Sequence, residues 1–292
     1  MTDSDRPPDF QDYWQRVAAE LAELPIAAEE EPLALRSSEF SNCYTVRFTG
    51  LGPYRLFAYL SIPNGDGPFP TLLYGPGYRS VVEPLPQGDA SAKRSRFLIF
   101  TVASRGQRNA DQPFAAQFPG LLTEGIDDPT TYVFRGIVAD WMRAVDYLLS
   151  RSEVDRSRIA AIPSKRDAMS LVAAALRPEV THVVAGLGSF FDARRRPTEE
   201  VEDYLRLHPE TRPQVARTLA YFDPLFFANA VSARTLLWAD PVVAEPLVTA
   251  MPNQPEVRQS EQSTYKDGVF QEQWVAREFG FDDPILPAHW QA

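Results

Sequence analysis

The chain has 292 residues, of which 44% are hydrophobic and 23% charged, as in ordinary globular proteins. Its formal net charge of −10 argues against nucleic acid or an anionic membrane as a partner. The single cysteine, Cys43, excludes an internal disulfide and fits a reducing cytosol. There is no long apolar run and no basic, apolar start, so we expect a cytoplasmic protein without a membrane span.

The first 65 residues predict a helix and a hairpin. Apolar residues recur at helical spacing from Phe10 to about Leu24. Residues 43–48 and 54–62 then alternate as strands around a Gly52-Pro53 turn. We treat residues 1–65 as an N-terminal extension of one domain that covers 1–292.

The rest of that domain, residues 66–292, alternates short apolar strands with helices. The predicted strands are 70–74, 96–102, 158–161, 180–185 and 235–238, and the clearest helices are 132–151 and 168–176. This order favours an α/β fold with a mostly parallel central sheet and helices on both faces. Ligands of such sheets gather at the carboxyl ends of the strands, so the turns after residues 74, 103, 162 and 238 are expected to line one site.

Several ordered motifs carry a family resemblance. They are DFQDYW at 9–14, FTG at 48–50, Gly77-Tyr78, SRGQ at 104–107, GIDDPTTYVFRG at 125–136, RAVDYLL at 143–149, SEVD at 152–155, TLAYFD at 218–223 and FQ at 270–271. Over nearly its whole length the chain thus resembles the acetyl xylan esterase and cephalosporin C deacetylase family of carbohydrate esterases. The resemblance implies an α/β-hydrolase fold, a serine esterase site and a homo-oligomer, a hexamer in that family.

The turn that should carry the nucleophile departs from the family pattern. In such esterases a serine on a G-x-S-x-G turn attacks the acetyl carbonyl, and a histidine takes its proton. Here Ile162 and Arg166 hold the glycine positions. Counting from the preceding strand puts Lys165 at the nucleophile position, whereas counting back from the following helix puts Ser164 there. Pro163 suits a tight turn poorly because its φ is fixed and it has no N–H.

The histidine position is also altered. The matching segment, residues 262–271, has Thr264 or Tyr265 in that place, and a tyrosine with its ordinary pKa of about 10 is no base at pH 7. His182 opens a predicted strand and is expected to be structural, while His208 and His289 lie in other segments. Asp240 follows a strand as the family's orienting aspartate does, with a loop cap or surface acid as the alternative.

The oxyanion hole resembles the family more closely, since Tyr78 and Gln107 match its two backbone N–H donors. The basic side chains near the same turns are Arg79, Arg105, Arg108, Lys165 and Arg166. They favour a small anionic ligand, with Arg105 among the binding residues. The alternative is that the arginines pair with Asp111, Asp167 and Asp240.

Three functional hypotheses follow. The first is a family member that has lost the Ser-His-Asp triad and serves as a non-hydrolytic ligand-binding or scaffold protein. The second is an enzyme of altered chemistry, of lyase or cyclase type, with Lys165 or Tyr265 as acid or base. The third is a weak carbohydrate or small-ester deacetylase that uses Ser164. None of them calls for a cofactor or a metal.

Overall fold

The computed structural model describes residues 5–75, 95–107, 116–163 and 166–282. The strands in these ranges are β1 (Glu29–Pro32), β2 (Ser41–Thr49), β3 (Arg55–Pro63), β4 (Phe69–Gly75), β5 (Leu98–Ala103), β6 (Val154–Pro163), β7 (His182–Gly186), β8 (Arg234–Trp238) and β9 (Glu256–Arg258). The α-helices there are α1 (Phe10–Ala22), α2 (Val133–Leu149), α3 (Met169–Leu176), α4 (Glu199–Leu207), α5 (Arg212–Ala220), α6 (Pro241–Ala250) and α7 (Thr264–Glu278).

The strands form one sheet in the order β1-β2-β3-β5-β4-β6-β7-β8-β9. Pairing is antiparallel from β1 through β2 and β3 to β5, and parallel from β5 through to β9. The predicted, mostly parallel sheet is therefore confirmed. The carboxyl ends of its parallel strands meet at one edge, which brings together the segments after Gly75, Ala103, Pro163, Gly186 and Trp238.

Strand β6 shows why the sheet is covered on both faces. Its last five residues, 159–163, are all buried. Ile159 and Ala161 belong to the large apolar cluster that includes α1, α2 and α3, whereas Ala160 and Ile162 belong to a second cluster with Trp274 of α7. Successive side chains of a strand point to opposite faces, so a strand covered on both faces needs an uninterrupted apolar run.

Two strands, β1 and β9, were not predicted from the sequence. Strand β1 consists of Glu29, Glu30, Glu31 and Pro32, all exposed, and β9 has only three residues. Both are the edge strands of the sheet. Charged residues and proline are typical of edge strands because they discourage pairing with another chain, but they leave no apolar alternation to detect. Of the helices in the described ranges, none is long and apolar enough to cross a membrane.

Candidate functional site

Part of the expected site lies outside the described residues. Strand β6 ends at Pro163 and α3 begins at Met169, and the turn between them, residues 163–168, is called the elbow turn below. Ser164 and Lys165 in this turn are not among the described residues, nor are Tyr78, Arg79 and Arg108. The nucleophile position and the Tyr78 oxyanion donor therefore stay predictions.

A cavity of about 500 Å³ opens at the carboxyl edge of the sheet, between the elbow turn and the start of α7. We call it the groove. Its described lining is Tyr74, Pro163, Arg166, Val184, Ala185, Trp238, Ser260, Gln262, Ser263, Thr264, Asp267, Gly268, Gln271 and Glu272. The described ranges contain no group of three or more His, Cys, Asp or Glu residues placed to hold a metal ion.

An ion pair joins the two sides of the groove. Arg166 of the elbow turn donates a hydrogen bond from Nη2 to Oδ2 of Asp267, in the first turn of α7. The Arg166 guanidinium also lies over the Trp238 ring, with 5.1 Å between its central carbon and the ring centroid. Arg166 thereby connects the turn that should carry the nucleophile to the segment that should carry the histidine.

Asp267 is held by three donors. Its side chain is only 8% exposed, and it accepts hydrogen bonds from Ser260 Oγ at 2.6 Å and from the backbone N–H of Glu261 at 3.1 Å in addition to Arg166. Burial alone would raise the pKa of Asp267, but these hydrogen bonds and the Arg166 charge outweigh it and lower that pKa. The carboxylate is therefore ionised and fully engaged near neutral pH.

Asp240 has the contacts of a helix cap. Its Oδ1 accepts the backbone N–H groups of Val242 at 2.8 Å and Val243 at 3.3 Å, at the start of α6. Its Oδ2 accepts a hydrogen bond from Gln259 Nε2 at 2.9 Å. These are the interactions expected of the capping alternative. Tyr265 lies in the first turn of α7 and is 60% exposed, outside the described lining of the groove.

The histidines of the described residues lie away from the groove. His182 begins β7, contacts Thr181 Oγ1 at 2.9 Å and packs against the Phe279 ring, and burial lowers its pKa. It precedes Gly186 by four residues, which places it about 13 Å from the carboxyl edge of the sheet. His208 follows α4 near Glu210, and His289 is outside the described residues.

Arg105 points into the protein rather than into the groove. Its Nε and Nη2 donate to the two oxygens of Asp140, at 3.0 and 2.7 Å, and Nη2 also donates to the Leu51 carbonyl at 2.9 Å. Asp140 is 0% exposed. Arg105 and Arg166 are thus paired, as the alternative to a cationic site predicted, but their partners are Asp140 and Asp267 and not Asp111, Asp167 or Asp240. The sequence signal for the Arg105–Asp140 pair was the position of Asp140 within the apolar run from Ile137 to Met142.

Gln107 is buried, and its backbone N–H donates to the Ser104 carbonyl at 3.2 Å. This contact occupies the group that the resemblance assigns to an oxyanion hole, and it does not favour that role. Gln107 is among the residues that line a second, smaller cavity, together with Ser104 and Asp167.

Comparison with known proteins places the chain in a family. The sequence model of the acetyl xylan esterase (AXE1) family matches residues 1–260. An acetyl esterase, Axe7A of Xylanibacter ruminicola, is 25% identical over 238 residues, which are 77% of this chain and 54% of that protein. The chain thus spans about half the length of this curated relative.

Solved structures show the same fold. An acetyl xylan esterase from Paenibacillus sp. R4 superposes with a TM-score of 0.82 at 23% identity, over 93% of this chain and 95% of that one. Acetyl xylan esterase 1 from Thermoanaerobacterium sp. JW/SL YS485 gives 0.78 at 23% identity, over 94% and 95%. The sheet order and these matches make the fold that of an α/β-hydrolase, and the chain belongs to the acetyl xylan esterase family.

Proposed function

We propose that this member of the family binds a small polar molecule in the groove and does not hydrolyse it through a Ser-His-Asp triad. The Arg166–Asp267 ion pair carries the proposal. It spans the elbow turn and the start of α7, where a triad would need a histidine between nucleophile and acid.

The chemistry of the pair supports this proposal. A serine nucleophile needs an adjacent base, and loss of the triad histidine lowers turnover by roughly a million-fold in a well-studied protease. Arginine cannot take that role because it stays protonated at any physiological pH. Asp267 already accepts three hydrogen bonds, so it has little capacity to accept a proton from a neighbouring hydroxyl.

The lining of the groove indicates the kind of ligand. Hydroxyl and amide groups dominate it, from Ser260, Ser263, Thr264 and Gln271. The charge of Arg166 is balanced by Asp267, so any preference for an anion depends on Lys165, Arg79 and Arg108, which lie outside the described residues. A volume of about 500 Å³ suits a small molecule. We therefore propose a neutral, hydroxyl-rich ligand, such as a mono- or disaccharide, before an anionic one.

A weak deacetylase that uses Ser164 is the second candidate, favoured by the names of the relatives. Hydrolysis of p-nitrophenyl acetate separates the two. We expect the wild type, Ser164→Ala and the matched surface variant Ser152→Ala to give rates within twofold of one another. A wild-type rate at least tenfold above that of Ser164→Ala, with Ser152→Ala unchanged, would establish the deacetylase and refute our proposal.

Binding is tested separately by calorimetry with xylose, xylobiose and glucuronate. We expect xylobiose to bind the wild type and to bind Asp267→Asn at least fivefold more weakly, because that substitution frees Arg166 from its partner and reshapes the groove. Binding of glucuronate in preference to xylobiose would instead support the anionic ligand that the sequence favoured. Absence of binding by all three would count against a ligand-binding role.

A further inference from the structure

Helix α7 turns one face toward the groove. The residues of this helix that line the groove are Thr264, Asp267, Gly268, Gln271 and Glu272. Successive residues of an α-helix are about 100° apart, so residues three or four positions apart lie on the same side. Seen down the helix axis, Gln271 and Glu272 lie within about 60° of Gly268 and on opposite sides of it. Gly268 is therefore at the centre of the wall that α7 contributes to the groove.

Gly268 differs from the other glycines that the structure describes. Most of them have a heavy atom within 4 Å of the place where a Cβ would be, and the rest have a positive φ, which favours glycine. At Gly268 φ is not positive, and beyond its chain neighbours and the helix backbone no described heavy atom lies within 4 Å of that place. In the described ranges, neither packing nor backbone conformation thus requires a glycine at position 268.

Glycine is also an unfavourable residue at this position. Helix α7 runs from Thr264 to Glu278, so Gly268 is its fifth residue and lies in the interior of the helix. Glycine in a helix interior is destabilising relative to alanine, because its backbone has more freedom to lose on folding. What Gly268 provides instead is a gap in the wall. This gap opens into the groove, because Gly268 is among the residues that line it.

Polar side chains that a ligand can reach flank this gap. With a rise of about 1.5 Å per residue, Thr264 lies about 6 Å from Gly268 along the helix axis, and Gln271 lies about 4.5 Å away in the other direction. Thr264 is exposed, and Gln271 is half-buried. A hydroxyl and an amide can each donate and accept hydrogen bonds, as the hydroxyls of a sugar do. The face therefore combines open space with polar groups on both sides of it.

We propose that Gly268 determines which ligands fit the groove, because it leaves room for a sugar ring to lie directly against the backbone of α7. The ring occupies the space of the missing side chain, and its hydroxyls form hydrogen bonds with Thr264 on one side and Gln271 on the other. This inference rests on the proposed binding of a hydroxyl-rich ligand in the groove and adds the residue that sets its size limit. A side chain at position 268 fills the space, so the affinity for the ligand falls as that side chain grows.

Calorimetric titration of the full chain with xylobiose tests the proposal. We expect Kd to rise at least threefold in Gly268→Ala and at least tenfold in Gly268→Leu, and to stay unchanged in the matched control Gln273→Leu. Gln273 is an exposed residue of the same helix, outside the described lining of the groove and about 140° around the axis from Gly268.

Thermal unfolding of Gly268→Ala separates loss of space from damage to the fold. Alanine should raise the midpoint by about 1–2 °C while it weakens binding, a combination that a purely structural role of Gly268 does not produce. A lower midpoint would assign Gly268 such a structural role and overturn the proposal. In NMR spectra of the wild type, saturating xylobiose should shift the backbone amide resonance of Gly268 more than that of Gly280, which lies beyond the other end of α7.

Equal xylobiose binding by the wild type and Gly268→Leu, or an unshifted Gly268 resonance at saturation, would overturn this inference and leave the proposed function standing. Equal weakening by Gln273→Leu would also overturn it, since the effect would then not depend on the face toward the groove. A wild type that does not bind xylobiose would overturn the proposed ligand and this inference together, so the two failures are distinguishable.

Discussion

The buried pair of Arg105 and Asp140 allows a quantitative test, with Asp140→Asn as the perturbation. In the wild type, Asp140 accepts from the Arg105 backbone N–H at 3.0 Å, from Nε at 3.0 Å and from Nη2 at 2.7 Å. Asparagine keeps one acceptor oxygen of the two and removes the charge that compensates the guanidinium. Because Asp140 is fully buried, water cannot replace it.

The expected cost follows from these contacts. Removing one partner of a buried ion pair costs about 3–5 kcal/mol, since it leaves the other charge uncompensated. We take the lower end, about 3 kcal/mol, because asparagine retains one acceptor. At roughly 2 °C for each kcal/mol in a chain of this size, Tm should fall by about 6 °C. Thermal and urea unfolding, followed by circular dichroism, measure the change.

An exposed ion pair that involves the same helix serves as a control and separates burial from charge. Arg135 of α2 pairs with Glu20, which is 52% exposed, and Glu20→Gln should cost less than about 1 kcal/mol because exposed pairs are screened by water. If Asp140→Asn costs no more than Glu20→Gln, the reasoning fails. The double variant Arg105→Met with Asp140→Leu should recover at least about 2 kcal/mol relative to the sum of the single variants, because no unpaired charge remains.

Three further predictions concern a buried acid, a close approach and a cap. Burial raises the pKa of Asp223 to about 6 from 3.8, so the folded state binds the extra proton between these values. The contribution of Asp223 to the free energy of unfolding should therefore be fully present below about pH 4 and fall by about 3 kcal/mol as pH rises through 6. Asp223→Asn should remove this part of the pH dependence in urea titrations. A Cβ on Gly75 would lie 1.8 Å from Trp141 Cζ2, so Gly75→Ala should lower the free energy of unfolding by at least about 3 kcal/mol. Gly268 lies in α7 with open space around it, so Gly268→Ala should raise that free energy by about 0.5–1 kcal/mol. The denaturation midpoints measure both changes. Asp240→Ala should lower the free energy of unfolding by about 1 kcal/mol, and Asp240→Ser should restore most of that loss because serine also caps helices. Neither variant should change the hydrolysis of p-nitrophenyl acetate. A loss of rate in both would indicate a catalytic role for Asp240.

The fold was predictable because its core strands are continuous apolar runs. Strands β4 to β8 were expected within a few residues of their observed bounds, and β6 proved longer at both ends. The edge strand β1 was missed because its glutamates carry no apolar pattern. A buried strand can be recognised from its own apolar residues. An exposed edge strand has no such pattern, because its conformation is stabilised by pairing with the neighbouring strand.

The candidate site was less predictable, since its contacts join distant segments. Arg166 and Asp267 are 101 residues apart, and Arg105 and Asp140 are 35 apart. No local pattern distinguishes these acids from the alternatives that the sequence suggested, Asp167 and Asp240. Asp240 caps α6, and Asp167 lines a cavity. Which acid an arginine can reach depends on how the segments meet at the edge of the sheet, and the sequence does not show this.

The elbow turn shows how the fold accommodates an arginine at a position where the resemblance predicts a glycine. Glycines in such a turn allow a close approach of backbone segments. Here that approach persists, but the glycine belongs to the neighbouring strand, since a Cβ on Gly186 at the end of β7 would lie 2.3 Å from the Arg166 carbonyl oxygen. The backbone can therefore stay compact while position 166 carries a long side chain. That side chain has a carboxylate and an aromatic ring as specific partners. The Arg166–Asp267 pair thus fits the proposed binding of a ligand in the groove.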